Sequence, residues 1–483
     1  MATLKEKTIS GLTWSFIDNF SMHGITFVVG IILARLLTPR EFGLIGMTTI
    51  FIAISQSFVN SGFSQALIRK KDCTQTDYST VFYFNLVTAV FFYAVLYFSS
   101  GAISRFFDEP QLKLIVQVLG LGLIINAFTI IQRTRLTKRI DFKLQTKISV
   151  VAVIISGIVG IFLAMNGYGV WSLVIKTLLS YGLTSLLLWF WNGWMPSLVF
   201  SKKSFRELFS FGSRLLASGL LDTGYRNIYL LIIGKYFSAA ELGFYTRADQ
   251  FKRLPSKNIT SVIQRVSYPV LSSIQDDIPR LKATYKKLIK STMLITFTAM
   301  IFMAAIAEPL VITLIGEQWL PSVVYLQLLC FAGMFYPLHA INLNMLNVQG
   351  RSDLFLRLEI IKKIKALPVI VIGITFGIKF MIMGMIVNSM ISYFLNSYYS
   401  GRLIGYSSGK QILDILPSFL LALTIGSIVF ITGTLLTVST PITLLVQLLT
   451  GGLVTIGLVE LFQMKDYLFI KQIVREKFLK GKK

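Results

Sequence analysis

Long apolar runs alternate with short polar connections along almost the whole chain. Each run has about 20 residues, the length that an α-helix needs to cross the hydrocarbon core of a bilayer. Backbone groups in lipid need hydrogen-bond partners within their own segment, so each run predicts a helix. The pattern predicts an all-α polytopic membrane protein with about fourteen spans, near residues 12–34, 42–66, 79–100, 112–131, 148–165, 169–192, 211–236, 242–272, 291–315, 322–346, 360–378, 380–401, 413–437 and 441–462.

The composition supports this reading. Hydrophobic residues make up 54% of the 483 residues and charged residues 14%, against roughly 25% charged in soluble proteins. The first run is too long for the apolar part of a signal peptide, so we expect a retained helix. Neither the two cysteines nor the two histidines stand at metal-binding spacing, and we predict no metal and no cofactor.

The positive charge is distributed unevenly between the two sides of the membrane. The net charge is +25, yet the loops of one side hold only six of the 47 Lys and Arg residues: Arg35, Arg40, Arg105, Lys113, Lys235 and Lys379. Cytoplasmic loops carry the Lys and Arg excess, so this side is predicted to be the outer one and both termini are predicted to be cytoplasmic. Because topology accounts for the charge, we expect no nucleic-acid partner.

A short motif occurs twice, two hundred residues apart. "LARLLTPREFG" begins at Leu33 and "IGKYFSAAELG" at Ile233, and both contain the Ser/Thr-x-x-Glu capping box that starts a helix. The boxes start spans two and eight, which have the same orientation because six spans separate them. This predicts a parallel repeat of two six-helix lobes, followed by two C-terminal helices. Chance is the alternative, since capping boxes are common.

The repeat suggests five segments. They are an N-lobe with spans one to six, an amphipathic cytoplasmic linker, a C-lobe with spans seven to twelve, the last two spans and a basic cytoplasmic tail: residues 1–195, 196–211, 212–404, 405–464 and 465–483. The linker and tail combine Lys and Arg with apolar residues, which predicts contact with anionic membrane lipids. The alternative is that their charge only sets the topology.

Span eight is unusually polar for a membrane helix, with five Lys and Arg residues. Each costs roughly 2.5–3.5 kcal/mol at the centre of a bilayer, so this helix should line water and bind an anionic ligand. Helical spacing places Gln250, Arg253, Lys257 and Gln264 on one stripe. Pro255 interrupts the backbone ladder within the span. The alternative is a cytoplasmic loop helix outside the membrane.

These observations give a set of candidate site residues. The candidate substrate-binding residues of the lumen are Arg253, Lys257, Arg226, Gln250, Gln264 and Arg247. Asp18 and Asp222 are candidates for coupling H⁺ or Na⁺. The alternatives are that Asp18 pairs with the cations of span eight and that Asp222 and Arg226 neutralise each other at i, i+4. No Ser/His arrangement, phosphate loop or pair of loop carboxylates indicates catalysis, so we predict a transporter and no enzyme.

Span eight also carries a specific resemblance. "ELGFYTRADQFKRLP" and "IQRVSYPVLSSIQDD", with "ARLLTPREFG" and "GFSQALIRKKD" in the first two spans, resemble the Wzx-type flippases of the polysaccharide transport family in the MOP superfamily. Within it the chain is similar to colanic-acid and teichuronic-acid exporters, often called lipopolysaccharide biosynthesis proteins. The family's span-eight pattern falls on Arg247, Pro255, Gln264, Arg265, Pro269 and Asp277.

The resemblance implies a function. It implies alternating access that moves an undecaprenyl-pyrophosphate-linked oligosaccharide across the bacterial inner membrane, with polysaccharide polymerase machinery as a candidate partner. Related lipid II flippases use arginines in span one, where this chain has Asp18 and His23 and no arginine before Arg35. Two alternatives are a cation-coupled multidrug exporter, which would need acidic cavity residues, and a membrane polysaccharide polymerase, which would need a long outer loop.

Overall fold

The computed structural model describes residues 4–463 and Tyr467, with side chains given for Trp14 and from Ser21 onward except Val266. Every regular element in this part of the chain is helical. Clustering of backbone contacts divides the chain into two compact units, Met1–Gly243 and Phe244–Lys483. The basic tail predicted at residues 465–483 lies outside the described residues apart from Tyr467.

Eight helices form the first unit before α9 begins. They are α1 Leu4–Leu36, α2 Pro39–Asn60, α3 Phe63–Arg69, α4 Gln75–Phe107, α5 Leu112–Lys138, α6 Phe142–Met165, α7 Val170–Asn192 and α8 Lys202–Tyr236. The principal neighbours are α4 with α5, α1 with α6, and α7 with both α5 and α6. The helix α8 runs without a break from the predicted linker into predicted span seven, because no helix-terminating residue separates them.

The second unit contains nearly all of α9 and the eight helices that follow it. They are α9 Ala239–Ser272, α10 Ile278–Ala305, α11 Ala307–Ile315, α12 Ser322–Gly333, α13 Tyr336–Val348, α14 Ser352–Phe376, α15 Ile378–Ile404, α16 Ser408–Leu435 and α17 Thr440–Leu461, with a 3₁₀ turn at Glu317–Trp319. Here α10 packs on α16, α14 on α15, and α16 on α17. The last two predicted spans therefore pack onto the body of this unit.

Ten helical segments of the described residues are long and apolar enough to cross a membrane, with α2–α3 and α12–α13 each counted once. They coincide with ten of the fourteen predicted spans. The other four predicted spans fall on α1, α8, α9 and α14, of which the last three each carry several charged residues. The all-α membrane fold is confirmed, and the total of fourteen spans stays a prediction.

Glycines allow two close helix contacts in the first unit, as small residues do in membrane helix packing. A Cβ on Gly62 would lie 2.6 Å from the carbonyl oxygen of Gly212, where α2–α3 meets α8. A Cβ on Gly43 would overlap the backbone of Ala239, and one on Gly243 would overlap the backbone of Pro39. The starts of α2 and α9 thus contact each other reciprocally, at positions two hundred residues apart.

The predicted linker is attached to the first unit by aromatic and ionic contacts. Phe205 and Phe209 stack at 5.2 Å between centroids and belong to the cluster around Phe63. Lys70 Nζ lies 3.0 Å from Glu207 and 3.2 Å from Asp77. Burial lowers the pKa of Lys70, but the bonds to the two carboxylates outweigh it and the pKa is raised. The apolar face of this segment therefore packs on protein.

Candidate functional site

The helix α9 begins as the sequence predicts and continues through its prolines. Ser238 Oγ accepts a hydrogen bond from the backbone N–H of Glu241 at 3.1 Å. Such a cap satisfies one of the free donors at a helix N-terminus. Pro255 and Pro269 both lie inside the helix. One continuous element therefore carries all the polar residues predicted for span eight.

A buried carboxylate organises the cations of α9. Asp249 Oδ1 lies 2.6 Å from Lys252 Nζ, and Asp249 Oδ2 lies 2.6 Å from Arg253 Nε. The side chains of Asp249 and Lys252 are 11% and 7% exposed, whereas that of Arg253 is 59% exposed. We call these three residues the α9 charge triad. It neutralises a buried lysine and leaves an arginine at the surface of the helix.

Aromatic rings border the buried cations. The Arg247 guanidinium lies 5.7 Å from the centroid of Trp319, and the Lys252 ammonium lies 5.4 Å from that of Tyr336. Both distances are within the range at which a ring face attracts a cation. Arg247 Nη1 also donates a hydrogen bond to Gln250 Oε1 at 2.6 Å. Arg247 is therefore held among protein groups in this structure.

The remaining predicted residues of α9 are more accessible. Lys257 and Gln264 are exposed, as is Arg265, while Gln250 is half-buried. Arg253, Lys257 and Gln264 are exposed members of the predicted stripe. Between Arg247 and Arg265 the helix carries five cations and one carboxylate. The exposed part of the helix can therefore attract an anion.

Two candidate residues lie on α8 in the first unit. Arg226 Nε is 2.9 Å from Asp222 Oδ2, and both side chains are largely exposed. Asp222 and Arg226 therefore form the i, i+4 ion pair that was the alternative to ion coupling. Asp18 lies on α1, and its side chain is outside the described part of the chain. The roles of all the candidate site residues stay predictions.

Sequence reasoning did not single out Asp249. The sequence signal for Asp249 is its position three residues before Lys252 and four before Arg253, which is the spacing at which helix side chains meet. Asp249 is not a member of the polar stripe that the sequence predicted. Among the described residues, no group of three or more His, Cys, Asp and Glu side chains could hold a metal ion.

The long apolar helices define a multi-pass membrane protein, and α9 is its most highly charged candidate site. The model of the family described as "Polysaccharide biosynthesis protein" matches residues 32–324. The chain belongs to this family. The match begins near the end of α1 and includes all of α9.

Curated relatives share about a quarter of the aligned residues. Teichuronic acid biosynthesis protein TuaB of Bacillus subtilis is 26% identical, over 73% of this chain and 74% of its own length. Lipopolysaccharide biosynthesis protein WzxC of Escherichia coli is 25% identical, over 87% of this chain and 86% of its own. The resemblance to Wzx-type proteins is confirmed.

Solved structures match the fold at lower identity. The lipid II flippase MurJ, in an inward closed conformation, aligns with a TM-score of 0.77 at 14% identity, covering 93% of this chain and 98% of its own. An inward-facing multidrug resistance MATE transporter of the MOP superfamily gives 0.62 at 16% identity, covering 80% and 96%. At these identities the likeness shows the fold alone.

Proposed function

We propose that the chain is a flippase that moves undecaprenyl-pyrophosphate-linked oligosaccharide repeat units across the bacterial inner membrane by alternating access. One observation carries the proposal: in a chain of this family, α9 carries five cations and one carboxylate between Arg247 and Arg265, and it leaves Arg253 and Lys257 exposed. Cations in a membrane helix need an anionic partner or water. The pyrophosphate, or an acidic sugar, is that partner.

The charge of the substrate acts in two ways, through hydrogen bonds to the chain and through the membrane potential. Arg253 and Lys257 donate charge-assisted hydrogen bonds to the phosphates, and Gln250 and Gln264 add uncharged donors and acceptors. An inside-negative potential favours outward movement of an anion by about 2.3 kcal/mol per charge per 100 mV.

Asp222 and Asp18 are the groups proposed to couple H⁺ or Na⁺, and Arg226 is the proposed cation of the first unit.

The surroundings proposed for the chain follow from its charge. Both termini lie in the cytoplasm, and Lys202, Lys203 and Arg206, which are exposed at the start of α8, contact anionic inner-leaflet lipids.

The polysaccharide polymerase machinery takes over the repeat unit after transport. A multidrug exporter of the same fold is disfavoured, because cationic drugs would be repelled by the exposed cations of α9.

Complementation tests the proposal. A flippase-deficient bacterium with a compatible glycan is transformed with the wild-type chain, Arg253→Ala, Lys257→Ala or the charge-preserving Arg253→Lys. We expect the wild type to restore surface polysaccharide, each alanine variant to accumulate lipid-linked oligosaccharide inside, and Arg253→Lys to retain part of the export. Lys410→Ala, which removes an exposed cation outside α9, is the matched control.

Two outcomes count against the proposal. Failure of the wild type to restore export, at normal membrane levels in several hosts with different glycans, would overturn the flippase assignment. Normal export by both alanine variants would show that the phosphates bind elsewhere, even if the wild type is a flippase.

A further inference from the structure

A cavity of about 340 Å³ lies at one end of the first unit, far along the chain from the candidate residues of α9. Three connections build it: α1–α2, α4–α5 and α6–α7. The charge pattern predicts all three to lie on the outer side of the membrane. The volume of the cavity is at the lower end of the range for ligand pockets, roughly 300–1,000 Å³.

The lining combines aromatic rings with planar polar groups. Tyr168 and Trp171 come from the start of α7, Arg40 and Glu41 from the start of α2, and Gln111 precedes α5. Tyr168 is 55% exposed. Aromatic rings offer flat apolar faces, while the carboxylate, amide and guanidinium groups offer acceptors and donors in a plane.

The polar groups are held in place by local structure. Glu41 Oε2 accepts hydrogen bonds from the backbone N–H of Thr38 at 2.6 Å and from Thr38 Oγ1 at 3.0 Å. The second oxygen, Oε1, occupies the space that a side chain on Gly169 would need. Gly169 also has φ +53°, which favours glycine. The loop before α7 is therefore shaped around this carboxylate.

The electrostatics disfavour a phosphate in this cavity. Arg40 is the only cation among its lining residues, and its Nη2 lies 2.6 Å from Glu109 Oε2. Glu41 adds a negative charge to the lining. An anion would therefore meet no uncompensated positive charge, whereas an uncharged, hydroxylated ligand needs none.

We propose that this cavity is an outer saccharide site, which binds one or two sugar residues of the glycan after they have crossed the membrane. The inference rests on the proposed function for the identity of the ligand. Sugars present apolar C–H faces to aromatic rings and pairs of neighbouring hydroxyls to planar polar groups, which is the chemistry that the lining supplies.

Direct binding tests the site without any transport step. The full chain is purified into lipid nanodiscs, and the probe is the oligosaccharide released by mild acid from the lipid-linked repeat unit of the complementation host. Saturation-transfer NMR and calorimetry report binding to the wild type, Tyr168→Ala, Trp171→Ala and Gln111→Ala. Trp191→Ala is the matched control, since it removes an exposed tryptophan at the other end of α7.

We expect saturable binding to the wild type and to Trp191→Ala, and about tenfold weaker binding for each aromatic variant. Unfolding temperatures establish that the variants are folded. Equal binding by all variants, or no saturable binding to the wild type, would overturn the proposal. Binding of glycerol phosphate in place of the oligosaccharide would also overturn it, because the site would then hold a lipid headgroup.

The two proposals fail in different ways. Restored export without oligosaccharide binding would reject the outer site and leave the flippase assignment intact. Oligosaccharide binding that depends on Tyr168 and Trp171, in a chain that restores export in no host, would support the site and reject the flippase.

Discussion

Two helices carry an aspartate with an arginine four residues later, and their surroundings differ. On α8, Asp222 Oδ2 lies 2.9 Å from Arg226 Nε, and the Asp222 side chain is 51% exposed. On α9, Asp249 Oδ2 lies 2.6 Å from Arg253 Nε, and the aspartate is almost buried and also binds Lys252. Helical spacing brings the partners of both pairs together, while packing determines how much each pair contributes to the stability of the fold.

Burial changes the energetics of such a pair. Exposed ion pairs contribute about 0–1 kcal/mol, because water solvates each partner almost as well. Removal of one partner from a buried pair costs about 3–5 kcal/mol, because the other charge stays in a medium of low polarity. Single substitutions at Asp249, Arg253 and Asp222 therefore test this difference between the two pairs, and their expected effects on stability decrease in that order.

Asp249→Asn has the largest expected effect. It leaves the buried ammonium of Lys252 without its carboxylate, and we expect the free energy of unfolding to fall by about 3–5 kcal/mol. Denaturant titration of the purified protein in detergent measures it. The double variant Asp249→Asn/Lys252→Met removes both charges and should recover most of the loss. A single variant as stable as the wild type would contradict the role of the triad.

Arg253→Ala has an intermediate expected effect on stability. Asp249 keeps its 2.6 Å contact with Lys252, and Arg253 is mostly exposed, so we expect a loss of about 1 kcal/mol. The same titration measures it. Export in the complementation assay should fall much further than stability does. A loss of stability as large as that of Asp249→Asn would show that Arg253 is a structural partner of the triad.

Asp222→Asn has the smallest expected effect. The pair with Arg226 is exposed, so the free energy of unfolding should change by less than about 1 kcal/mol and the difference should shrink as salt is added. Unfolding midpoints at low and high salt measure both. A loss above about 2 kcal/mol would mean that Asp222 and Arg226 are shielded from solvent in the protein in its membrane.

The apolar pattern predicted the helical fold well but not the breaks within it. Predicted span two continues past Asn60, where the structure separates α2 from α3 at Ser61 and Gly62, both with positive φ. Predicted spans nine and ten are likewise divided, at Ile306 and at Met334–Phe335. Hydropathy does not indicate the breaks at Ile306 and at Met334–Phe335, because apolar residues continue through them and packing sets the backbone angles.

The candidate site was predictable in part. Helical spacing predicted the exposure of Arg253, Lys257 and Gln264, which depends on position along a single helix. The burial of Asp249 and Lys252 depends instead on contacts from other helices, such as Tyr336 beside Lys252. The cavity lined by Arg40, Gln111 and Tyr168 joins three connections that are distant in the sequence, so no local pattern indicated it.

The reciprocal contact between the starts of α2 and α9 has the form of an isologous interface, in which one surface patch supplies both sides. Pro39 meets Gly243 as Ala239 meets Gly43. In a symmetric dimer of identical chains, one amino-acid change alters such a contact twice. Here the two glycines are encoded separately, so each side of the contact can be altered alone and the contact can become asymmetric in single steps.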